Sequence, residues 1–278
     1  MDSLIRWAGG KRLLVEEYKR QYLFSKESFY VEPFLGGGGS FLGLKQKKSA
    51  GCDVNESLIY LWQMVRDEPE ELVSHYDYYH GVHTPNTYDV ARETYNDLMR
   101  SHDPCRALKE TKKDIAGVFF YLMNTCHRGV CRYNKKKEFN VPIGDGGTRL
   151  PTVEAIREKV LMISQKIQEC YFEVFDFEQA IKYYSDEHQN VFFYCDPPYS
   201  QKEGKGFQSY SPADWKESDA DRLAEVLKTS GCDFAVSEID IPAVRERYAG
   251  CKFIEIQADR KVGGDRSKVG ELLILSRV

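Results

Sequence analysis

Short apolar runs alternate with segments of helical periodicity along most of the chain, which predicts an α/β protein with a mainly parallel sheet. Ser28-Phe29-Tyr30-Val31-Glu32 reads as a buried strand, followed by Gly36-Gly37-Gly38-Gly39-Ser40 and the helix-compatible Phe41-Leu42-Gly43-Leu44. Ala50-Gly51-Cys52-Asp53 ends a second short strand, and further strands are predicted at Tyr171 to Phe175, Val191 to Cys195 and Asp233 to Ser237. Lys252 to Gln257 and Glu271 to Leu275 read as a hairpin with a Gly-rich turn. The basic segment between them, Arg260 to Lys268, reads as a flexible loop. The middle of the chain differs. From about Leu61 to Gln168 the periodicity is helical, as in Ile115 to Met123, with few strand signals. The pattern therefore predicts a core built from residues 1–60 and 169–278, with a helical lobe of residues 61–168 inserted into it.

Composition narrows the class without naming it. The 278 residues are 42% hydrophobic and 29% charged, and no apolar run is long enough to cross a bilayer. Met1 to Arg6 lacks a basic region followed by an apolar stretch, so the expectation is an intracellular protein without a secretion signal. Eight cysteines then read as reduced thiols. Cys126 and Cys131 near His127, and the group His75, His80 and His83, match no standard metal spacing, so no metal is expected. The net charge of −4 argues against a bulk polyanion binder. Between Arg106 and Lys137, however, nine basic residues face only Glu110 and Asp114, and such a stripe can face phosphates or form a solvated helix face.

Three segments carry candidate chemistry. The strand ending Val31-Glu32-Pro33-Phe34, then the glycines with Gly36 and Gly38, lets backbone approach a ligand closely. Asp53, at the end of the next strand, can accept both hydroxyl hydrogens of a ribose, which favours a nucleoside-containing cofactor. In Arg6-Trp7-Ala8-Gly9-Gly10-Lys11-Arg12 a phosphate loop fails, because Ile5 and Arg12 stand where a glycine and a Mg²⁺-binding hydroxyl are needed. Lys11 suits a small carboxylate instead. The most specific segment is Val191 to Tyr199, whose apolar strand delivers Asp196 to its C-terminal end. Pro197 and Pro198 remove two amide donors and leave carbonyl acceptors. The Asp196 carboxylate and the Pro197 carbonyl can hold both hydrogens of a planar amine and stabilise positive charge developing on its nitrogen, while Tyr199 offers an aromatic face. Cys195 reads as a buried spectator.

Arg6 to Lys11, Val31 to Gly39, Asp53-Val54-Asn55, Asp176-Phe177 and Asp196 to Tyr199, in this order, resemble the Dam-type DNA adenine-N6 methyltransferases, the class alpha or D12 family. Gly129 to Asn134 and Glu138 to Pro142 resemble that family's target-recognition segment. The resemblance implies a Rossmann-like, seven-stranded S-adenosylmethionine-dependent methyltransferase sheet ending in an antiparallel hairpin, with an inserted helical target-recognition domain. It implies that Trp7 and Lys11 hold the methionine part of S-adenosylmethionine, Asp53 its ribose, and Asp176 with Phe177 its adenine. Asp196, Pro197, Pro198 and Tyr199 would hold a flipped adenine, and S-adenosylhomocysteine would be the product. Arg6 and Arg132 would contact guanines, Val130 a thymine methyl, and Pro142 would shape the approach of the loop to the bases. Lys135, Lys136 and Lys137, beside Asn134, would meet the DNA backbone. The implied partner is double-stranded DNA, commonly read at GATC, and the enzyme would be a monomer.

The chain departs from the family where an aromatic-Asn pair usually precedes Gly129; here it is His127-Arg128, at positions expected to brace the vacated base stack. Arg6 replaces a common lysine, and Ser237-Glu238 replaces a common Ser-Asn. The alternatives are an RNA adenine or DNA cytosine-amine methyltransferase, or a non-catalytic DNA-binding protein on the same fold. A-form RNA hides its major groove, which weighs against RNA, and intact Asp196 and Asp53 weigh against a binder.

Overall fold

The structure is a computed structural model that describes residues 4–7, 15, 28–104, 106, 108–144, 150–199, 215–262 and 265–276, with backbone alone for 257–262 and 265–270. Seven strands form one sheet: β1 (Phe29–Glu32), β2 (Ser49–Asp53), β3 (Cys170–Val174), β4 (Val191–Cys195), β5 (Asp233–Ile239), β6 (Lys252–Val262) and β7 (Asp265–Leu275). Their order is β3-β2-β1-β4-β5-β7-β6. The first five run parallel, and β7 is antiparallel to both of its neighbours. The sheet is the seven-stranded α/β sheet that the sequence predicts, with the antiparallel hairpin at one edge.

The order fixes where a ligand can sit. The chain steps outward from β1 to β2 and β3, then returns to lay β4 against the other side of β1. Strand order reverses there, and such a switch point opens a crevice beyond the C-terminal strand ends. Glu32 ends β1 and Asp196 follows β4, so both carboxyl groups stand at that crevice.

Alternation along the central strands divides the core into two layers. Tyr30, Phe192 and Tyr194 face one apolar cluster, whereas Val31, Phe193 and Cys195 face the other. The second cluster is covered by α7 (Phe177–Glu187), α8 (Glu217–Thr229) and α9 (Pro242–Arg247). On the first side lie α1 (Phe41–Leu44), α2 (Glu56–Asp67) and the helices α3 (Pro69–Gly81), α4 (Pro85–Ser101), α5 (Lys109–Thr125) and α6 (Val153–Ile167). Every residue of α5 from Ile115 to Met123 is buried, as expected of a helix surrounded by others. Helix α2 fastens the helices of the first side to the sheet: Trp62 stacks on Phe172 of β3 at 5.4 Å, and Gln63 Nε2 donates to the Phe172 carbonyl at 2.7 Å. Residue 61, where the helical lobe is expected to begin, lies within this helix.

Strand ends differ slightly from expectation. β3 begins at Cys170, and β5 continues to Ile239 because Glu238 and Ile239 still pair with Leu272 and Glu271. The larger difference is at the basic segment 260–268. It is strand rather than loop up to Val262 and again from Asp265, since pairing continues rung by rung to Val262↔Asp265. Gly263 and Gly264 lie outside the described residues.

Candidate active site and recognition strand

The Glu32 carboxyl is buried and held by two hydroxyl donors, Tyr30 Oη at 2.5 Å and Ser40 Oγ at 3.1 Å. Burial pushes its pKa up to about 8; the two hydroxyls oppose the shift and the Asp196 charge adds to it. The glycine loop then turns with Gly36 and Gly38 at positive φ, 49° and 66°. The approach is close as well as left-handed. A Cβ on Gly38 would lie 2.2 Å from Trp62 Cζ2, and one on Gly37 would lie 2.5 Å from Trp7 Cβ. Trp7 is thereby placed against the loop whose ligand it was expected to share, while Lys11 lies outside the described residues.

Asp53 is fixed from both sides: Gly36 N donates to Oδ2 at 3.0 Å and Asn55 N to Oδ1 at 3.0 Å. Burial raises its pKa to about 6, with the amides of Asn55, Gly36 and Val54 opposing the shift. At neutral pH it is mainly an ionised acceptor with a defined orientation.

Asp176 starts α7 as a capping box. Its Oδ1 accepts from Glu178 N (2.9 Å) and Gln179 N (3.0 Å), and Gln179 Oε1 accepts from Asp176 N (3.1 Å). The other oxygen accepts from Arg222 Nη2 at 2.9 Å. Phe177 stacks on Phe34 at 5.6 Å, with the Arg222 guanidinium 4.5 Å above its ring. Trp215 closes this aromatic group edge-on, 5.5 Å from Phe34 and 5.6 Å from Phe177. The Trp215 Nε1 is buried and has no hydrogen-bond partner among the described residues. Neither Trp215 nor Arg222 was legible as a site residue, because Trp215 precedes α8 and Arg222 lies within it, and neither belongs to a motif.

At the end of β4, Pro197 is buried, Pro198 is half-buried, and Tyr199 donates to Glu271 Oε1 of β7 at 2.8 Å. Cys195 is wholly buried, and burial holds its thiol well above the ordinary range, so it stays protonated. The Ser237-Glu238 pair is buried in β5: Tyr194 Oη lies 2.8 Å from Ser237 Oγ, and Glu238 Oε2 accepts from Ile239 N at 2.9 Å.

The segment 126–144 leaves the C-terminus of α5 and folds back on itself. His127 N donates to the Pro142 carbonyl (2.9 Å), Tyr133 bridges to Phe139, and Asn140 N donates to the Arg132 carbonyl (3.2 Å). Cys131 and Tyr133 point inward, so Arg132 between them points out. Its guanidinium is oriented by Asn140, with Nε 2.9 Å from Oδ1. Asn134 shapes the tip: its Oδ1 accepts from Lys136 N (2.8 Å) and Glu138 N (3.1 Å), and its Nδ2 donates to Glu138 Oε2 (3.0 Å). Its side chain is thus bound within the turn. Lys135, Lys136 and Lys137 are exposed on that turn, Lys137 at φ 63°. His127 and Arg128 are exposed and Val130 half-buried; Arg128 has φ 56°. Gly129, at φ 63°, lies where a Cβ would come within 2.3 Å of Arg6 Cβ. Arg6 and Arg132, far apart in sequence, are therefore brought to one short segment.

The basic stripe divides. Lys109 pairs with Glu68, and Lys113 with Glu68 and Glu71, while Lys112 lies 5.2 Å over the Tyr60 ring. These lysines join α5 to the rest of its lobe. Apart from Glu110, which also pairs with Lys113, the partners lie outside residues 106–137: Tyr60 on α2, Glu71 on α3, and Glu68 between the two.

A family model described as D12 class N6 adenine-specific DNA methyltransferase matches residues 7–262. The chain is 29% identical to the Type II methyltransferase M1.LlaDCHI of Lactococcus lactis subsp. cremoris, over 97% of this chain and 93% of that protein. It is 29% identical to the DNA adenine methylase of Escherichia coli (strain K12), over 98% and 94%. With the DNA adenine methylase of Haemophilus influenzae it shares 27%, over 98% and 92%. A solved rRNA methyltransferase, aviRa from Streptomyces viridochromogenes, is a remote likeness, with a TM-score of 0.39 and 10% identity over 99% of this chain and 90% of that one. With the family model spanning nearly the whole chain, this protein belongs to the D12 class of N6 adenine-specific DNA methyltransferases.

Proposed function

We propose that this enzyme transfers the methyl group of S-adenosylmethionine to the 6-amino nitrogen of adenine in double-stranded DNA, at GATC or a closely related sequence, on a base turned out of the duplex. The observation that carries the reading is the place of Asp196, at the β1/β4 switch point beside Glu32 and the glycine loop.

The residues present fit the donor. Gly36 and Gly38 make a turn without room for side chains, Asp53 presents an oriented carboxylate, and Trp215 carries a buried N–H suited to a nucleobase nitrogen. Trp7 and Lys11 would hold its methionine part, Asp53 its ribose, and Asp176 with Phe177 its adenine, beside the wall made by Glu32, Pro33 and Phe34. When bound, the donor supplies an electrophilic methyl on sulfonium and leaves as S-adenosylhomocysteine.

The adenine amino nitrogen is a poor nucleophile because its lone pair is delocalised into the ring. Asp196 and the Pro197 carbonyl accept its two hydrogens and so stabilise the positive charge that grows as nitrogen bonds carbon, favouring the transition state over the ground state. Pro198 stiffens this acceptor pair and Tyr199 covers the base. The base must leave the stack at a cost of about a few kcal/mol. His127 and Arg128 stand where they can brace the gap. Arg6 and Arg132 contact guanines, Val130 a thymine methyl, and Lys135, Lys136 and Lys137 the phosphates. Asn134 and Pro142 hold the shape of the segment. In this reading residues 1–60 and 169–278 form the catalytic domain, and 61–168 the recognition domain of a monomer that acts where the DNA resides.

The test is transfer of labelled methyl from the donor to duplexes that carry adenine, or 6-methyladenine in its place. Label should enter only the first duplex, and Asp196→Ala should abolish it while leaving duplex binding within about threefold. Label entering adenine-free duplexes of G·C pairs, or RNA, would defeat the reading.

A further inference from the structure

Asn55 stands two residues after Asp53 and is 2% exposed, yet every polar atom of its side chain is used. Its Oδ1 caps α2 by accepting from Leu58 N at 3.2 Å. Its Nδ2 leaves the sheet altogether and donates to Tyr133 Oη at 3.3 Å and Cys131 Sγ at 3.8 Å. These are the two inward-facing residues on either side of Arg132. The chain of buried groups continues from Tyr133 Oη to Tyr95 Oη (3.1 Å) and on to Ser57 Oγ (2.8 Å), back on α2. One end of this loop of hydrogen bonds thus lies on the helix that follows the donor-binding aspartate, and the other lies directly beneath the outward-pointing arginine.

We infer that Asn55 is a positioning residue for sequence discrimination: its amide registers the Cys131–Tyr133 strand against the end of β2, so that Arg132 is presented at a fixed place relative to the methyl donor site. The inference rests on the proposed base-reading role of Arg132. A cap alone needs only an acceptor oxygen, and serine or aspartate would serve there equally well. What the amide adds is a donor, and that donor is spent on the recognition strand and on nothing in its own helix. Cysteine and tyrosine side chains lying on one amide hold the two residues flanking Arg132 at one depth. Among the described residues, the Asn140 contacts alone orient the guanidinium on the exposed side of the strand. Slippage by a fraction of an ångström matters for a bidentate contact, whose two hydrogen bonds must be met together.

The experiment compares the intact enzyme with Asn55→Ser, Tyr133→Phe and the double variant. Serine keeps a capping oxygen and is too short to reach Tyr133; phenylalanine keeps the ring edge-on to Phe139 (6.1 Å, 80°) and removes the acceptor. The readouts are kcat/KM on the cognate duplex and on duplexes with one base pair changed, the KM for the donor, and the thermal midpoint. Each single variant should lose about tenfold in discrimination at the base pair that Arg132→Ala relaxes. Discrimination at the other pairs and the donor KM should stay within about twofold, and the double variant should lose little more than either single one. A loss spread equally over all sequences, or unchanged discrimination with a lowered thermal midpoint, would reduce Asn55 to a structural cap and overturn the inference. If Arg132→Ala relaxes no base pair, the base-reading assignment falls and this inference with it. If Arg132→Ala relaxes one pair and Asn55→Ser does not, the inference alone fails.

Discussion

The Tyr199 hydroxyl donates to the carboxylate of Glu271 at 2.8 Å, which ties the segment after β4 to β7 across β5. Glu271 is 2% exposed. The bond therefore holds the ring of Tyr199 in one orientation and also supplies a donor to a buried carboxylate. Tyr199→Phe keeps the ring and removes both effects. Withdrawing a donor from a buried polar group costs about 1–3 kcal/mol, so the thermal midpoint should fall by several degrees. kcat should fall several-fold, with the donor KM unchanged. An unaltered kcat would show that the orientation of this ring is irrelevant to turnover.

Gly38→Ala tests the closeness of the glycine loop. The position has φ 66°, and the new methyl would stand 2.2 Å from Trp62 Cζ2, an indole stacked on Phe172 and unable to retreat cheaply. Strain in the left-handed region and overpacking each cost about 1–3 kcal/mol. Denaturant unfolding should show a loss of at least about 2 kcal/mol, and donor affinity should fall with it. Gly231→Ala, also at positive φ but with open space around its Cβ, should cost the backbone strain alone.

Glu32 gives stability a pH dependence of definite sign. Its folded pKa is raised from 4.5 to about 8, so between those values the unfolded chain has released the proton and the folded chain retains it. The contribution is fully present below about 4.5 and is lost as pH rises through about 8, at roughly 1.4 kcal/mol per pH unit at most. Glu32→Gln removes this slope. Thermal melts from pH 5 to about 8 should show the variant gaining on the parent enzyme as pH rises; parallel curves would mean that Glu32 is ionised in the fold.

Asp53 gives a second, separable pH effect. Its pKa is raised to about 6, and a protonated carboxyl can accept fewer ribose hydrogens. Donor affinity, measured by calorimetry, should weaken as pH falls through about 6, and Asp53→Asn should bind weakly at every pH. A parent enzyme whose donor affinity does not change between pH 5 and 8 would contradict the ribose assignment.

The two kinds of basic residue on the recognition segment should separate. Arg132→Ala should relax discrimination at one base pair by about 1–3 kcal/mol. Lys136→Ala should weaken binding to all sequences and reduce the slope of log Kd against log salt by about one. Equal loss on every duplex for Arg132→Ala would remove it from base reading.

Much of the fold was legible because the short continuous apolar runs of β1 and β4 and the all-round burial of α5 are written in residue type. The strand ends were less so: β5 continues through polar Glu238 because its partner β7 continues, and the ribbon of β6 and β7 runs on through charged residues for the same reason. Asp53 and Asp196 were legible because each closes an apolar strand. Asn55 had a readable cap spacing ahead of Leu58, yet nothing local could reveal that its amide reaches Tyr133. Trp215, Glu271 and Arg222 were invisible for the same reason, since each acts through a partner brought close only by the sheet order. Asn134 shows the converse, a polar residue in a recognition motif whose side chain is bound within its own turn.

The central claim is methylation of the adenine amino group in duplex DNA at one short sequence. Incubating the enzyme with S-adenosylmethionine and an unmethylated plasmid, then mapping modified bases by sequencing, tests it most directly. 6-Methyladenine should be confined to GATC or a motif differing from it at one position. Methylation of cytosine, adenine methylation without sequence preference, or an unmodified plasmid from folded, donor-binding enzyme would contradict it.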